Sequence, residues 1–479
     1  NKMVKEKKWL IVFCVLLICI FAVFYPTFII FSDETRYMHA ISLFKEELKF
    51  KVTDPLDSHS FLYNGEDYTT QFPMGVTLLG YPFTLFGYKG LFVMNFGMLL
   101  IGFYFFNKIL KKLGYNALYS LLYLLYPGFI FFSRTLMSEL PSIALITIGI
   151  YFYIKEKNDF DLFYSGFFFS LAAIFRYPNF LTYLLIGVVL IYKEFKKHKF
   201  EFKRYKKSVL FIISAIPLVL SILGYNHYIN GGIFNTSYST KLGFGRDPVV
   251  HMLIYYFVSL NVVYPLMIFT PLLTKIKYKL EILLVTYLTL LSYIIIGIDT
   301  FHYDFLKNMV IGARYLFPVM PFFILGYIDV LNNVLIKLRI KRVLFILLVS
   351  AVLLIGAGVI SYQQDDFTNK SEAVKEKIYA TVPKNAIIYS TFSALTYLNK
   401  FYGDNKIAFI KNPGVYELMG KQNEEEYIVF ALQGVYKEMS KGDYSIAEDE
   451  LKGKFNLEKV YEENSPDSIS IYKIIKEEI

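Results

Sequence analysis

Cysteine is scarce in this chain of 479 residues, which contains only Cys14 and Cys19. Both lie inside the first apolar run, and they match neither the CxxC pairs nor the His and Cys spacings of zinc sites. A thiolate zinc site is therefore not predicted. The two residues are interpreted as small apolar side chains in lipid, and they carry no information about the redox compartment.

A signal-peptide cleavage site is also lacking after that first run, which extends from Trp9 to about Phe31. Four lysines precede it, as in a secretion signal. However, its core of about 22 residues is longer than an h-region of roughly 7–15, and no small-x-small motif follows. The run is predicted to be a permanent first span with a cytoplasmic N-terminus.

Apolar residues dominate the composition, with 55% hydrophobic residues, 19% aromatic residues and a mean hydropathy of +0.43. A soluble domain has about 45–50% apolar residues even when glycine is counted. Ten further segments are long enough, or nearly so, to cross a hydrocarbon core about 30 Å thick. They lie at about 90–106, 116–132, 138–154, 160–176, 178–193, 208–228, 251–274, 280–298, 312–336 and 341–361. The predicted fold class is an α-helical polytopic membrane protein with about 11 transmembrane helices, in a range of 11–13.

The segment from Phe72 to Gly87 is the ambiguous one in this count. If it does not cross the membrane, the loops rich in lysine and arginine all lie on the cytoplasmic side, as the positive-inside rule requires. Counting it as a span inverts every later loop. It is therefore predicted to be a re-entrant or surface helix within a large first outer loop, residues 32–89. That loop begins with an amphipathic helix expected to lie on the membrane surface.

Residues 363–479 differ in character from the rest. They hold 15 Lys and Arg against 20 Asp and Glu, a net charge of −5, which leaves 35 against 20, or +15, for residues 1–362. Short β-type runs alternate with helical segments such as Ser371–Thr381 and Ser445–Phe455, which predicts a small α/β domain. The predicted strands are Ala386–Tyr389, Ile407–Ile410, Tyr427–Leu432 and Ile469–Ile474.

The predicted organisation is a transmembrane domain, residues 1–362, followed by a soluble domain, residues 363–479. Eleven spans starting from a cytoplasmic N-terminus place the second domain outside a cell membrane. The excess of basic residues is then explained by the orientation of the chain in the membrane, so it does not imply a nucleic-acid partner.

Ionisable residues are concentrated at the outer ends of the predicted spans. The first are Asp33 and Glu34. Considered alone, this pair is more simply interpreted as the acidic first turn of a helix that has Ser32 as its N-cap. Single charges at span ends are commonly interfacial anchors. As a set, several acids and three arginines at one depth predict a pocket that binds an anion and abstracts a proton. The others are Arg134, Glu139, Arg176, Asp299, His302, Asp304, Lys307 and Arg314.

The order of these residues resembles the GT-C superfamily of membrane glycosyltransferases, in particular the branch related to protein O-mannosyltransferases and aminoarabinose transferases. The resemblance covers roughly residues 9–336 and is distributed over several short motifs. One of them is a partial match, because the family usually has Pro-Pro-Gly where this chain has Phe72-Pro73-Met74-Gly75. The motifs are a span ending in Asp33-Glu34, the stretch Tyr63–Gly75, Arg134 followed by Glu139, and Arg314-Tyr315.

The resemblance implies a sugar donor on a polyprenyl phosphate and an acceptor hydroxyl that is activated by a carboxylate of the first outer loop. Asp33 is the first choice as general base, Glu34 would position the acceptor or bind a divalent cation, and Glu139 is the next candidate acid. Arginine suits a lipid phosphate in charge and in bidentate geometry. The residues implied at the phosphate are Arg314, Tyr315, Arg176 and Arg134, with His302 as a candidate contact to acceptor or phosphate.

Several alternatives stay open at this point. A Mg²⁺ or Mn²⁺ ion held by Asp33 and Glu34 is compatible with the resemblance, and the acceptor is a lipid, a glycan or a protein. A transporter or flippase of lipid-linked sugars would also line a cavity with arginines and acids. Such transporters often show internal repeats and broken helices at mid-membrane depth, and no convincing repeat occurs here. A non-catalytic scaffold would leave the charges at the outer span ends unexplained.

Overall fold

The computed structural model describes residues 2–70, 72–198, 205–236, 248–296, 313–391, 394–432, 448–463 and 468–476. This part of the chain is mostly helical, and a small sheet lies near its C-terminus. The described α-helices are, in chain order, α1 (Lys2–Val23), α2 (Ser32–Glu47), α3 (Gly75–Gly80), α4 (Gly87–Lys112), α5 (Leu121–Leu124), α6 (Pro127–Phe132), α7 (Glu139–Lys155), α8 (Asp159–Phe175), α9 (Phe180–His198), α10 (Lys206–Ile213), α11 (Ile216–Asn230), α12 (Pro248–Val263), α13 (Thr270–Leu273), α14 (Lys279–Ile296), α15 (Met320–Lys337), α16 (Arg342–Thr381), α17 (Val415–Leu418) and α18 (Glu448–Lys452).

The chain is a multi-pass membrane protein by the length and apolar character of its helices. Within the described ranges, six helical segments are long and apolar enough to cross a membrane, and a seventh arises if the pair Val249–Val263 and Met267–Leu273, bent by 103°, is one broken span. The total of about 11 stays a prediction. Some predicted spans are short or interrupted. Helices α7 and α8 have 17 residues each, and the predicted span 116–132 is broken between the end of α5 at Leu124 and the start of α6 at Pro127.

The ambiguous segment Phe72–Gly87 forms α3 and then a 3-10 turn, Tyr81–Phe86, that leads directly into α4. Together Gly75–Lys112 make one helical stretch of 38 residues. The apolar side chains of Leu85 and Phe86 are exposed, as expected for residues that face lipid. Whether the segment Phe72–Gly87 is a re-entrant or surface helix, as predicted, remains untested.

Helix α2 forms where the amphipathic pattern predicts it, but its environment differs from a membrane surface. Most of its residues from Glu34 to Leu43 are buried inside the protein. The N-cap is Phe31 rather than the predicted Ser32. The physical reason is that the Glu34 carboxylate accepts the backbone N–H groups of Ile30 at 2.8 Å and Phe31 at 2.9 Å, so this side chain satisfies the free donors at the helix start.

The described residues form two sheets. Strands β1 (Lys51–Val52), β2 (Leu62–Tyr63) and β3 (Tyr68–Thr69) form an antiparallel sheet in the order β1-β3-β2 within the first outer loop. The C-terminal sheet has the order β5-β4-β6-β8-β7, with parallel pairs around β4 and antiparallel pairs around β8. Its strands are β4 (Ile387–Ser390), β5 (Lys406–Phe409), β6 (Glu426–Leu432), β7 (Leu457–Glu463) and β8 (Ser468–Ile474).

The small C-terminal α/β unit is confirmed, and four of its strands coincide with the predicted runs to within about one residue. Strand β7, with the sequence Leu-Glu-Lys-Val-Tyr-Glu-Glu, was missed because it is too polar to show a β-type run. Helix α16 continues without a break from Arg342 to Thr381. The proposed boundary between residues 362 and 363 therefore falls inside a helix that connects the two parts.

The first outer loop and the C-terminal sheet are joined by several polar contacts. The backbone N–H of His59 donates to the carbonyl of Ile407 at 2.7 Å, which adds His59 to the edge of β5. The Asn412 side chain donates to Ser58 at 3.0 Å and to the carbonyl of Phe61 at 2.9 Å. The C-terminal unit thus supports the loop that carries α2.

Candidate active site

A row of alternating charges connects four of the predicted site residues. Oδ2 of Asp33 lies 3.5 Å from Nη2 of Arg314, and Nε of Arg314 lies 3.6 Å from Oε1 of Glu139. The same Glu139 oxygen accepts a 2.8 Å hydrogen bond from Nη1 of Arg176. The fold therefore places near one another four of the predicted residues, of which Asp33 and Arg314 lie 281 positions apart in the chain.

All four side chains lie at or next to helix ends. Asp33 lies in the first turn of α2, and Glu139 is the first residue of α7, where the helix dipole favours a carboxylate. Arg176 is the C-cap of α8, where a cation is favoured. Arg314 begins the 3-10 turn that precedes α15.

Exposure differs between the two carboxylates. The Glu139 side chain is only 1% exposed and lies between two guanidinium groups, whereas the Asp33 side chain is 31% exposed. A buried carboxylate that lies between two arginines is shielded from a substrate. Asp33 is therefore the carboxylate of this group that an incoming hydroxyl can reach.

Tyr315 lies between the two arginines of the group. Its ring centre is 5.2 Å from Cζ of Arg176 and 5.0 Å from Cζ of Arg314. Phe31 approaches Arg314 from another side, at 5.9 Å. These cation–π contacts fix the guanidinium planes without using their N–H donors. Consistent with this, Nε of Arg314 has no hydrogen-bond partner among the described residues.

Glu34 is placed differently from its neighbour in the sequence. It is completely buried, and its second oxygen accepts the backbone N–H of Leu136 at 2.5 Å in addition to the two bonds at the start of α2. Burial raises the pKa of this carboxyl to about 7, although the three backbone N–H groups favour the ionised form. Glu34 thus connects α2 to the loop that precedes Glu139, and its oxygens are not directed at Arg314.

Arg134 and His302 are not part of the row of charges. Arg134 is fully buried, and its recorded neighbours are Phe21 of α1 and Asp365 of α16. His302 lies outside the described residues, as do Asp299, Asp304 and Lys307. The sequence-based roles of these five residues therefore remain predictions.

Two residues support the site: Asn95, which the sequence reasoning missed, and Gly75, which it named only as part of a motif. Asn95, in the middle of α4, donates to the carbonyls of Thr135 at 2.6 Å and Met137 at 2.8 Å, which fixes the loop before Glu139. A polar residue inside an apolar span is a signal that could have identified it. Gly75 packs against the end of α8, where an added Cβ would lie 2.7 Å from the carbonyl oxygen of Ile174.

The described residues do not fit a divalent metal site. No group of three or more His, Cys, Asp or Glu side chains converges in that part of the chain. Of the two proposed ligands, Glu34 accepts three backbone N–H groups and Asp33 faces Arg314. Mg²⁺ and Mn²⁺ prefer several free oxygen ligands, which these two carboxylates do not offer.

Known proteins resemble this chain in structure but not in sequence. No protein-family model matches the chain, and no curated protein sequence does. ArnT from Cupriavidus metallidurans bound to undecaprenyl phosphate superposes with a TM-score of 0.66 at 11% identity, over 97% of this chain and 98% of that one. This chain has the ArnT fold.

The apo state of ArnT from the same organism gives a TM-score of 0.64 at 11% identity, over 98% of both chains. The likeness thus includes the C-terminal unit as well as the helices. The apo oligosaccharyltransferase of Archaeoglobus fulgidus aligns with a TM-score of 0.47 at 9% identity, over 89% of this chain and 69% of that one. The GT-C-like fold predicted from the motifs is confirmed by the ArnT superposition.

Proposed function

We propose that the protein is a membrane glycosyltransferase that transfers a sugar from a polyprenyl-phosphate donor to an acceptor hydroxyl on the outer side of the cell membrane. The observation that carries this proposal is the 3.5 Å approach of Asp33 to Arg314. It combines a partly exposed carboxylate, able to accept a proton, with an arginine able to bind a phosphate. The ArnT fold supports the choice of donor, because the matching ArnT structure contains undecaprenyl phosphate.

The reaction follows from this pair. The acceptor O–H donates its proton to Asp33 while its oxygen attacks the anomeric carbon of the sugar. The bond between that carbon and the phosphate oxygen breaks, and its electron pair stays on the phosphate. The lipid phosphate thereby gains one negative charge, which Arg314 stabilises where it develops. General-base help of this kind is worth about 10²–10⁴-fold in rate.

Arg314 is suited to this role because the described residues leave its N–H donors without hydrogen-bond partners. Its two carboxylate neighbours lie beyond hydrogen-bond length, and Nε has no hydrogen-bond partner among the described residues. A planar guanidinium offers two parallel N–H groups to a phosphate, which adds both energy and orientation. The side chain is 12% exposed, so a phosphate bound there is largely shielded from water.

Glu139 and Arg176 are assigned a positioning role. Glu139 balances the two guanidinium charges, and its hydrogen bond to Arg176 connects α7 with the end of α8. Without that carboxylate, Arg176 and Arg314 would repel each other across Tyr315. Arg176 provides a second positive charge near the phosphate, and Glu34 keeps the start of α2, and with it Asp33, in place.

Binding of the reaction product provides the test. Undecaprenyl phosphate, added to the purified full chain in detergent, is expected to bind wild type, bind Arg314→Lys more weakly, and bind Arg314→Ala weakest. The reason is that lysine keeps the charge but loses the bidentate geometry. Arg342→Ala, at the other end of the membrane domain, is the matched control. Equal affinity of wild type and Arg314→Ala would contradict the proposal.

A further inference from the structure

Two histidines lie side by side where the first outer loop meets the C-terminal unit. The ring centres of His39 and His59 are 4.3 Å apart, and both side chains are completely buried. Neither ring nitrogen of His39 has a hydrogen-bond partner among the described residues, and the same holds for Nε2 of His59. Buried polar atoms are normally paired, so this pair of imidazoles is a feature that the proposed function leaves unexplained.

The two histidines connect the helix that carries Asp33 to the C-terminal sheet. His39 lies in α2, the same helix as Asp33, and its ring stacks on Phe61 at 4.1 Å between ring centres. His59 donates its backbone N–H to the edge of β5. Through this joint between α2, residues 59–61 and β5, a movement of the loop reaches the start of α2.

The backbone of His59 is strained. Its φ is +47°, in the left-handed region that side chains rarely adopt, although histidine and asparagine occur there more often than most residues. The hydrogen bond of 2.7 Å from the His59 N–H to the carbonyl of Ile407 holds this conformation. Because strain of this kind is released when the contact breaks, it favours opening of the joint.

The joint has little apolar packing of its own. Its buried cluster is separate from the main hydrophobic core of the protein and consists of Ala40, Leu43, Phe61 and Tyr68. A contact with few buried apolar side chains opens at a lower free energy than the core does. We therefore expect the joint to open locally while the membrane helices stay folded.

The charges near the joint disfavour a proton on either histidine. Lys400, from the C-terminal unit, is a cation that acts on both imidazoles. The Asp57 carboxylate pairs with this lysine at 2.6 Å, and the neighbouring acids Asp54 and Glu47 act on Asp57. Within the described part of the chain, no carboxylate offsets a positive charge on the histidine pair.

The remaining elements around the joint contribute no compensating charge either. Helix α3 and the turns Tyr81–Phe86 and Ala394–Tyr397 pack on α2, and none of these three segments has a charged side chain. In β5, Lys406 is exposed and pairs with Glu424 at 3.7 Å. A proton taken up by the closed joint would thus create a buried and unpaired cation, which is strongly unfavourable.

The two imidazoles are therefore neutral in the closed joint. Burial, and then Lys400, lowers the pKa of His59 from 6.5 to about 3, while the backbone of Leu398 acts more weakly in the opposite direction. Burial, and then His59, lowers the pKa of His39 well below its usual range. An open joint returns both groups to water and to an ordinary pKa. The closed joint is thus most stable above pH 6.5 and loses stability as the pH falls from 6.5 toward 3.

We propose that His39 and His59 form an acid-sensitive catch: protons taken up by the two imidazoles open the joint, displace α2 and stop sugar transfer at Asp33. Under the proposed function this side of the protein faces outward, so the catch senses the pH of the outer medium. The effect on sugar transfer rests on the proposed function, whereas the opening is argued from the residues of the joint alone.

Hydrogen exchange of the full chain in detergent tests the opening. Exchange is measured at pH 7 and pH 5 on peptides that contain residues 58–62, and each rate is corrected for the intrinsic exchange rate at that pH. Since each histidine that takes up a proton raises the opening equilibrium by up to about tenfold per pH unit, wild-type protection should fall by at least about tenfold at pH 5. His227→Asn, which replaces an exposed histidine at the end of α11, is the control and should respond as wild type does.

Two substitutions remove the titrating groups while keeping the shape of the joint. His39→Phe keeps an aromatic ring on Phe61, and His59→Asn introduces another side chain that tolerates the left-handed backbone. In the double variant, protection of residues 58–62 at pH 5 should stay within about twofold of its value at pH 7. A wild type whose protection does not change, or a double variant that loses as much protection as wild type, would overturn the proposal.

A single variant covers the case in which the double variant does not fold. His59→Asn leaves one imidazole, so the logarithm of its protection should change about half as steeply with pH as in wild type. A slope equal to that of wild type would contradict proton uptake by His59. Glu34, whose raised pKa acts in the opposite direction, is present in every protein compared, so its contribution cancels.

Turnover separates the catch from the proposed function. The ratio of sugar transfer at pH 5 to that at pH 7 should be at least about fivefold higher in the double variant than in wild type, because only the wild-type joint opens. Titration of Asp33 affects both proteins equally. Equal ratios in the two proteins would overturn the link between the joint and catalysis. If wild type transfers no sugar at any pH, the proposed function falls, and the exchange experiment still decides whether the joint opens.

Discussion

Arg176 donates a 2.8 Å hydrogen bond to Glu139, a carboxylate whose side chain is only 1% exposed. Arg314 approaches the same oxygen at 3.6 Å, so one buried anion balances two cations. This arrangement joins the start of α7, the end of α8 and the start of the 3-10 turn before α15. It makes Glu139 the structural centre of the candidate site, and Asp33 its accessible edge.

Neutralising Glu139 should lower the stability of the folded protein. Glu139→Gln leaves two buried arginines without their shared counter-charge, and breaking a buried pair in this way typically costs about 3–5 kcal/mol of stability. The expected result is a clearly lower unfolding temperature in detergent together with loss of sugar transfer. Asp366→Asn, which removes an exposed ion pair with Lys370 on α16, is the control and should cost about 0–1 kcal/mol. Similar effects of the two substitutions would contradict the central role of Glu139.

Gly75 offers a test of the packing beneath Arg176. Gly75→Ala places a Cβ 2.7 Å from the carbonyl oxygen of Ile174 and 2.8 Å from Cγ of Phe175, so the end of α8 must shift. Such overpacking typically costs about 1–3 kcal/mol, and displacement of Arg176 should reduce donor affinity. Gly97→Ala in α4 is the control, because its added Cβ meets nothing within 4 Å. Normal stability and normal donor binding in Gly75→Ala would contradict the close approach.

The pH dependence of stability tests the burial of Glu34. Its pKa is raised from 4.5 to about 7, mainly by burial, and α2 is not among the described helices that are long and apolar enough to cross a membrane. Folding therefore favours the protonated form, and this contribution is complete below pH 4.5 and is lost as the pH rises through 7. At about 1.4 kcal/mol per pKa unit the difference amounts to about 3 kcal/mol.

The measurement is the unfolding temperature of wild type and Glu34→Gln between pH 4.5 and 8. Glutamine cannot ionise, so the wild-type decline over this interval should be absent in the variant. The absolute stability of Glu34→Gln is expected to be lower at low pH, because one backbone N–H loses its acceptor. Parallel pH profiles of the two proteins would show that Glu34 does not titrate in this range.

Asn412 tests whether the C-terminal unit supports the first outer loop. Asn412→Ala removes the donor to Ser58 and to the carbonyl of Phe61, which leaves buried polar atoms unpaired at a cost of about 1–3 kcal/mol. We expect lower thermal stability and lower turnover with little change in donor affinity. Gln422→Ala, whose side chain bonds only within its own segment, is the control. Unchanged turnover in Asn412→Ala would contradict the claim that catalysis depends on support of the first outer loop by the C-terminal unit.

Much of this architecture could be predicted from sequence because the relevant signals are local. Apolar runs of sufficient length fix the helices, and acids and arginines at their ends mark Asp33, Glu139, Arg176 and Arg314 as a set. The four recognised strands follow from short β-type runs. In each case the signal lies in residues that are neighbours in the chain, so the element can be predicted without knowing how the chain packs.

The remainder depends on contacts between distant segments. Asp33 and Glu34 are adjacent and chemically alike, yet one is partly exposed and the other accepts an N–H from Leu136, which no local pattern indicates. Arg134 lies near Glu139 in sequence but points toward α1 and α16. The loss of the predicted surface position of α2 has the same cause, since the C-terminal unit and the first outer loop bury it together.

The central claim is that Asp33 removes a proton from the acceptor but does not hold the donor. Asp33→Asn separates these roles, because it removes the base and also a negative charge beside Arg314. Donor binding and turnover should be measured on the same preparation, with Glu66→Gln, an exposed acid of the same loop, as control. We predict that Asp33→Asn binds the polyprenyl-phosphate sugar as tightly as wild type or more tightly, and that its turnover falls by about 10²–10⁴-fold. Wild-type turnover in Asp33→Asn would contradict the account.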